Sequence, residues 1–341
     1  MKKYDRKKVL EQVTMLLNYN YSGEDNGPWR VKAEFDTEEC WRPMYHKDVE
    51  KRRRLKFAEL LLIKCNSRGE ITLSPGEIEK YLIDKQSRVL FPSILTALSN
   101  LEADMKDVHL DNLYLLGYDF SKLKNLRIDL DKVYWKELVR TKFNGASFTG
   151  SFDGCSLAEA IFENCTAEQS IDPQKISGRV LDHAKLGGIE ISGSLDYARI
   201  TGTDFSESKG VIVINPQKII DLSGISFANC YVFGDLDKET GQYEEADFSG
   251  RSILGSSFKG IKNTPTIDIS KGVWIRNTEL AGVRIVGTAK LEDCDHIISD
   301  CLIDGEDFEL YDEKTYPKNG LVQVTIEKPQ KKKSIFGWFK K

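Results

Sequence analysis

From Phe143 onward a large apolar residue returns at every fifth position, with a small residue two places before it and often Gly or Asn two places after. In "ADFSGRSILGSSFKG" the large residues are Phe248, Ile253 and Phe258. "FNGASFTGSFDGCSLAEAIFENC" keeps the spacing at Phe143, Phe148, Leu157 and Phe162, with Phe152 displaced by one. Further centres fall at Ile171, Ile176, Leu181, Leu186, Ile191, Ile200, Phe205, Leu222, Phe227, Val232, Leu280 and Ile285. A period of five matches neither the 3.6-residue helix nor the two-residue alternation of a strand. It implies a chain that turns a corner every five residues and sends one large side chain inward from each short side. Four sides close a coil, and coils stack through backbone hydrogen bonds. The core set this predicts is Phe143, Phe148, Leu157, Phe162, Leu181, Leu186, Phe205, Phe227, Phe248, Ile253, Phe258 and Leu280.

Before Phe143 the pattern changes. "YDRKKVLEQVTMLL" and the stretch from Val49 to Cys65 space their apolar residues as helices do. Ser74-Pro75-Gly76-Glu77 reads as a helix N-terminus, with serine as cap, proline in the first turn and glutamate completing a capping box. That helix is expected to run to about Asp84, and Pro92 opens another to about Asn100. Leu110 to Leu138 is leucine-rich but irregular, as a segment covering the open edge of a stack would be. The expected organisation is a helical domain over 1–105, a transition or capping segment over 106–142, the repeat over 143–312, a cap strand and spacer over 313–330, and a basic, aromatic tail over 331–341. The alternating "LVQVTIE" at 321–327 is the cap strand.

Ala246-Asp247-Phe248 and, more loosely, Ala146-Ser147-Phe148 follow the Ala-(Asp/Asn)-Leu-x-x consensus. On these residues and the period of five, about half the chain resembles the pentapeptide-repeat family of bacterial type. The resemblance implies a mainly β fold, a right-handed quadrilateral parallel β-helix, here with an N-terminal α-helical domain. In that family four pentapeptides make a coil, so 143–303 would give about eight coils and, at ~4.8 Å per layer, a rod roughly 35 to 40 Å long. "SIDPQKI" at 170–176 and "VINPQKI" at 213–219 form a longer-range repeat and read as structural corners where proline fixes the backbone.

Charge adds a second expectation. The 341 residues carry a net charge of only −4, which does not suggest a general nucleic-acid binder. Residues 140–312, however, hold 28 acidic against 16 basic residues, while 313–341 hold 8 lysines against 2 glutamates. Some members of the resembled family imitate duplex DNA and occupy the DNA site of type II topoisomerases, with a C-terminal helix as the dimer contact. That is the alternative function. Acidic solenoid surfaces are also ordinary for solubility, and a helical domain of this length is not part of that subfamily's usual plan.

The candidate chemistry is sparse. Seven cysteines spread along the chain do not form a disulfide framework. Cys155, Cys230 and Cys301 occupy the small-residue slot that Ala160, Ala184, Ala198 and Ala246 fill elsewhere, and read as small apolar residues. His183 and His296 have no ligand-like spacing. "DTEECWRPMYH", with Asp36, Glu38, Glu39, Cys40 and His46, reads as an acidic turn, since no oriented third group accompanies the Cys and His. Asp235 to Glu245 breaks the period and should be an extruded loop, either for recognition or as a tolerated insertion. No catalytic residue, metal or cofactor is expected.

The tail is the sharpest functional signal. Lys331, Lys332, Lys333, Ile335, Phe336, Trp338, Phe339, Lys340 and Lys341 would, as a helix, place Ile335, Trp338 and Phe339 on one face with lysines at both ends. This suits the inner face of an anionic bilayer; packing against a second copy is the competing expectation. No apolar run approaches the length of a membrane span, and the start has no signal-peptide pattern, so a cytoplasmic protein is expected, peripheral on the inner membrane face. The functional expectation is a non-enzymatic scaffold or adaptor that binds a protein partner not named by the sequence, with no direct nucleic-acid binding.

Overall fold

The computed structural model describes residues 6–19, 47–65, 72–303, 306–308, 310 and 321–327. It is a mixed helix and strand fold with many short parallel sheets. The chain divides into two compact units, Met1–Gly193 with Glu207–Gly210, and Ser194–Ser206 with Val211–Lys341.

The first unit opens with four helices: α1 (Arg6–Asn18), α2 (Lys47–Lys64), α3 (Pro75–Leu82) and α4 (Pro92–Asn100). Their apolar residues recur at three- and four-residue intervals and are buried together, with Val9, Val13 and Leu16 from α1, Phe57 and Leu61 from α2, Ile78 and Leu82 from α3, and Ile94 and Leu98 from α4. The Ser74 capping box is present in both directions. Ser74 Oγ accepts from the Glu77 N–H at 3.3 Å, and a Glu77 carboxylate oxygen accepts from the Ser74 N–H at 2.9 Å. Helix α3 ends at Leu82, two residues short of the Asp84 the pattern suggests. Ile83 and Asp84 instead pair antiparallel with Leu90 and Val89, a partner that lies beyond the reach of local spacing.

Beyond α4 the unit is built of parallel ladders whose partners lie about twenty residues apart. Arg127–Asp129 pairs with Ser147–Thr149, which pairs in turn with Thr166–Ala167, and Lys142–Asn144 pairs with Ile161–Glu163. This pairing starts at Asp104 opposite Lys124, upstream of Phe143. Phe120, Phe143 and Phe162 stack through the interior at centroid distances of 5.4 and 5.6 Å.

In the second unit Val211–Val213 pairs with Tyr231–Phe233, and Ile253–Leu254, Ile275–Arg276 and Ile298–Ser299 form a three-strand parallel sheet. Val322–Glu327 lies parallel to Ile285–Lys290 and ends a sheet that also holds Thr266–Asp268. The rings of Phe227, Phe248 and Phe258 meet at 5.3 to 6.2 Å, and Phe205 stacks on Phe227 at 5.6 Å. All twelve positions of the expected core set, divided between the two units, are at most 1% exposed. Phe152 is buried to the same degree despite its displaced register.

The residue two places after many inward residues has positive φ, as at Asn164 (51°) and Asn229 (60°). Asn tolerates this left-handed conformation better than most residues, which accounts for its place in the pattern. A second corner recurs as Asp129 to Lys132, Asp172 to Lys175, Asn215 to Lys218 and Asp268 to Lys271. In each, the first side chain accepts from the N–H two residues on, at 3.0 to 3.2 Å. The proline segments at 170–176 and 213–219 are the middle two of these four corners.

Candidate protein-binding surface

The segment that breaks the period is a hairpin. Tyr231–Leu236 and Tyr243–Glu245 are antiparallel strands, so only the stretch between them is a loop, and both ends of Asp235–Glu245 are strand. Alternation along the first strand turns Val232 and Gly234 inward and leaves Tyr231 and Phe233 on the outer face. A Cβ at Gly234 would lie 3.0 Å from the Glu245 carbonyl oxygen, so glycine there lets the two strands close.

The tip is held by Asp237, whose carboxylate accepts from the Glu239 N–H and the Thr240 hydroxyl, both at 2.8 Å. Those hydrogen bonds, the Glu239 N–H first, hold its carboxyl below the ordinary value. At the base, the Asn263 side chain stands in for a neighbouring strand. Its Oδ1 accepts from the Val232 N–H at 2.8 Å and its Nδ2 donates to the Val232 carbonyl. Glu245 accepts from the Thr266 hydroxyl and lies 3.5 Å from the Arg284 guanidinium. Lys218 links two carboxylates, Asp196 at 2.6 Å and Asp235 at 3.6 Å. Burial acts to raise the Asp196 pKa, but the Lys218 ammonium, the Ser194 hydroxyl and the Asn215 N–H outweigh it and hold the carboxyl below its ordinary value.

On this braced frame the outer face carries a row of rings. Tyr231 and Phe233 lie nearly parallel at 6.4 Å, Phe233 and Tyr243 at 5.6 Å, and the Lys262 ammonium sits 5.2 Å from the Tyr231 centroid. Tyr231 and Tyr243 are each 44% exposed, and Leu236 beside them is 48% exposed. The row can offer flat apolar area with phenol hydroxyls and flanking carboxylates, the composition of a protein-contact surface. The Tyr-x-Phe alternation before a Thr-Gly turn is the sequence signal for it, one that the five-residue register through Val232 conceals.

The first unit has a smaller aromatic cluster. Trp135 is largely exposed, although its backbone has φ 55°, a strained conformation for a bulky residue. Its ring stacks on Tyr134 at 5.4 Å, Tyr114 packs edge-on to both, and the Arg88 guanidinium lies 4.2 Å from the Tyr134 centroid. Burial, and then the neighbouring Tyr134, push the Tyr114 phenol above its ordinary pKa.

The cysteines of the repeat are buried thiols. Burial pushes Cys155 up to about 12 and Cys165 up to about 11, and it also raises Cys301, so these sulfurs stay protonated and pack as small apolar groups. Cys230 is likewise buried. His183 and His296 are exposed, and among the described residues no group of three His, Cys, Asp or Glu is placed to hold a metal. Asp36, Glu38, Glu39, Cys40 and His46, and the tail from Lys331 to Lys341, lie outside the described residues. No helix among the described residues is long and apolar enough to cross a membrane. In comparisons with known proteins, no family model and no curated protein matches the chain.

Proposed function

We propose that this chain is a non-enzymatic scaffold or adaptor that presents a pentapeptide-repeat surface to a protein partner. The ladders within each unit are read as coils of a right-handed quadrilateral β-helix. Partners about twenty residues apart support this, since four five-residue sides make one turn. The positive-φ corners two places after inward residues support it as well. The tail, with Lys331, Lys332, Lys333, Ile335, Phe336, Trp338, Phe339, Lys340 and Lys341, tethers the assembly to the anionic inner face of the membrane.

The observation that carries the reading is the row formed by exposed Tyr231 and Tyr243 with half-buried Phe233 between them, on a hairpin braced by Asn263, Asp237 and Glu245. Rigid aromatic side chains contribute contact area at low entropic cost, which makes them effective anchors. The test is affinity capture from source cells with the full chain and with a Tyr231→Ser, Tyr243→Ser variant. One discrete partner should be lost from the variant while the melting temperature stays within a few degrees. An unchanged set of captured proteins overturns the hairpin as the contact surface.

A further inference from the structure

The strongest feature outside that surface is a cleft of about 400 Å³ between helices α2 and α3, lined by Val49, Arg52, Arg53, Lys56, Lys80 and Tyr81. Four of the six lining side chains are cations, three from α2 and one from α3, and none is acidic. Several other cations of the same unit are paired: Lys64 with Glu77, Lys124 with Glu102, Lys132 with Asp111 and Asp129, and Arg140 with Glu159. Among the described residues, Arg52, Arg53, Lys56 and Lys80 form no ion pair. Three carboxylates of α2 and α3 are engaged in other ways. Glu79 accepts from the His109 N–H at 2.8 Å, Glu77 holds Lys64 and the Ser74 cap, and Glu50 is buried and accepts from Ser93 Oγ at 2.8 Å.

The cleft is also pre-arranged. One Arg53 guanidinium nitrogen donates to the Lys80 carbonyl, tying the two walls together, and Arg52 Nε donates to the Asp48 carbonyl at 3.3 Å. Each guanidinium keeps its remaining N–H groups for another acceptor. The Lys80 ammonium rests 5.4 Å from the Tyr81 ring centroid. Four like charges held together repel one another, and an anion that bridges them removes the repulsion and gains charge-assisted hydrogen bonds.

We propose that this cleft is a binding site for a ligand bearing two linked phosphoryl groups, with Arg53 and Lys80 at the seam and Arg52 and Lys56 at the rim. The shared chemistry is the diphosphate charge and geometry, whether free in solution or on a lipid headgroup. A compact dianion or trianion fits better than an extended strand, because the cations converge from two walls on one cavity rather than tracking along a face.

Inorganic pyrophosphate is the probe, titrated into the full chain by calorimetry at low and at moderate salt. Saturable binding is expected, weakening as salt rises and accompanied by a higher melting temperature for the bound chain. Lys56→Gln with Lys80→Gln should weaken binding by at least about tenfold. Lys85→Gln, an exposed cation of the same unit that does not line the cleft, should change it less than about twofold. Both exposed lysines can be changed without disturbing the helical core, which the ligand-free melt of the double variant checks. Vesicles carrying a lipid with a diphosphate headgroup, compared with phosphatidylserine vesicles of equal charge, identify the source when a Trp338→Ala, Phe339→Ala chain is used. Retention on the phosphorylated vesicles that pyrophosphate competes away assigns a headgroup, and retention on neither assigns a soluble ligand. Absence of saturable pyrophosphate binding, or equal weakening by Lys85→Gln, overturns the proposal.

Discussion

Gly188 and Gly255 both follow an inward residue by two places and both have positive φ, at 89° and 61°, yet they face different surroundings. A Cβ on Gly255 meets nothing within 4 Å, whereas one on Gly188 would sit 2.7 Å from the Cys165 carbonyl oxygen and 3.2 Å from its nitrogen, in the adjoining layer of backbone. Gly255→Ala should therefore cost only the left-handed conformation, about 1 to 2 kcal/mol. Gly188→Ala must also push two layers of backbone apart and should cost at least about 3 kcal/mol. Urea unfolding of the two variants measures the difference, and equal losses would mean that layer contact does not govern these corners. The period-five pattern is legible because a dry interior accepts only apolar side chains, so Phe143, Phe227 and Phe258 declare themselves. Which corner glycine touches its neighbour is not legible, because that depends on a residue some twenty positions away.

Among the elements, the hairpin and the corner beneath it are coupled through Asp196, Lys218 and Asp235. The Asp196 carboxyl titrates below its ordinary value in the folded chain. Its ionised form thus contributes stability that is complete above the unfolded value near about 4 and is lost as pH falls through the lower folded value. Lys218, with its pKa raised chiefly by the hydrogen bond to Asp196, stays charged throughout that range. Asp196→Asn should cost about 1 to 3 kcal/mol near neutral pH, and the gap from the parent should narrow at about pH 3 and below. Urea midpoints at the two pH values check this; a gap that does not change with pH removes the ion pair from the account. Elements with local signals are the ones that read well from sequence, such as the Ser74 cap and the four helices. The ladder that begins at Asp104 is hidden, because leucines at uneven intervals carry it and Asx corners stretch the sides. The hairpin rings are hidden behind Val232, and the basic cleft joins Arg53 to Lys80 only through helix packing.

For the whole molecule, the five lysines and four large apolar residues from 331 to 341 set a test that leaves the described residues untouched. On an anionic surface each lysine would contribute about 1 kcal/mol, while Ile335, Phe336, Trp338 and Phe339 would contribute insertion that salt does not screen. The full chain should pellet with anionic vesicles, much less with neutral ones, and less as salt rises. Trp338→Ala with Phe339→Ala should release it even at low salt. If that variant instead converts a dimer to a monomer on a sizing column and leaves vesicle binding intact, the tail is a dimer contact. The acidic excess of 140–312, 28 acids against 16 bases, then regains its DNA-imitating interpretation. A charge-dependent effect on topoisomerase supercoiling would be its signature.

The parallel register survives the hairpin. Ser226 still pairs with Ser257 although the intervening chain is about ten residues longer than elsewhere, because each layer answers only to the layers it touches. Length at the tip is therefore nearly free, since doubling a loop costs roughly 0.6 kcal/mol. The stretch from Lys238 to Gly241 is thus a natural graft point, where a foreign epitope or a short binding motif can be displayed without re-registering the parallel ladders on either side. Lineages carrying this architecture would be free to vary the reach and sequence of that tip while their interior stays constant.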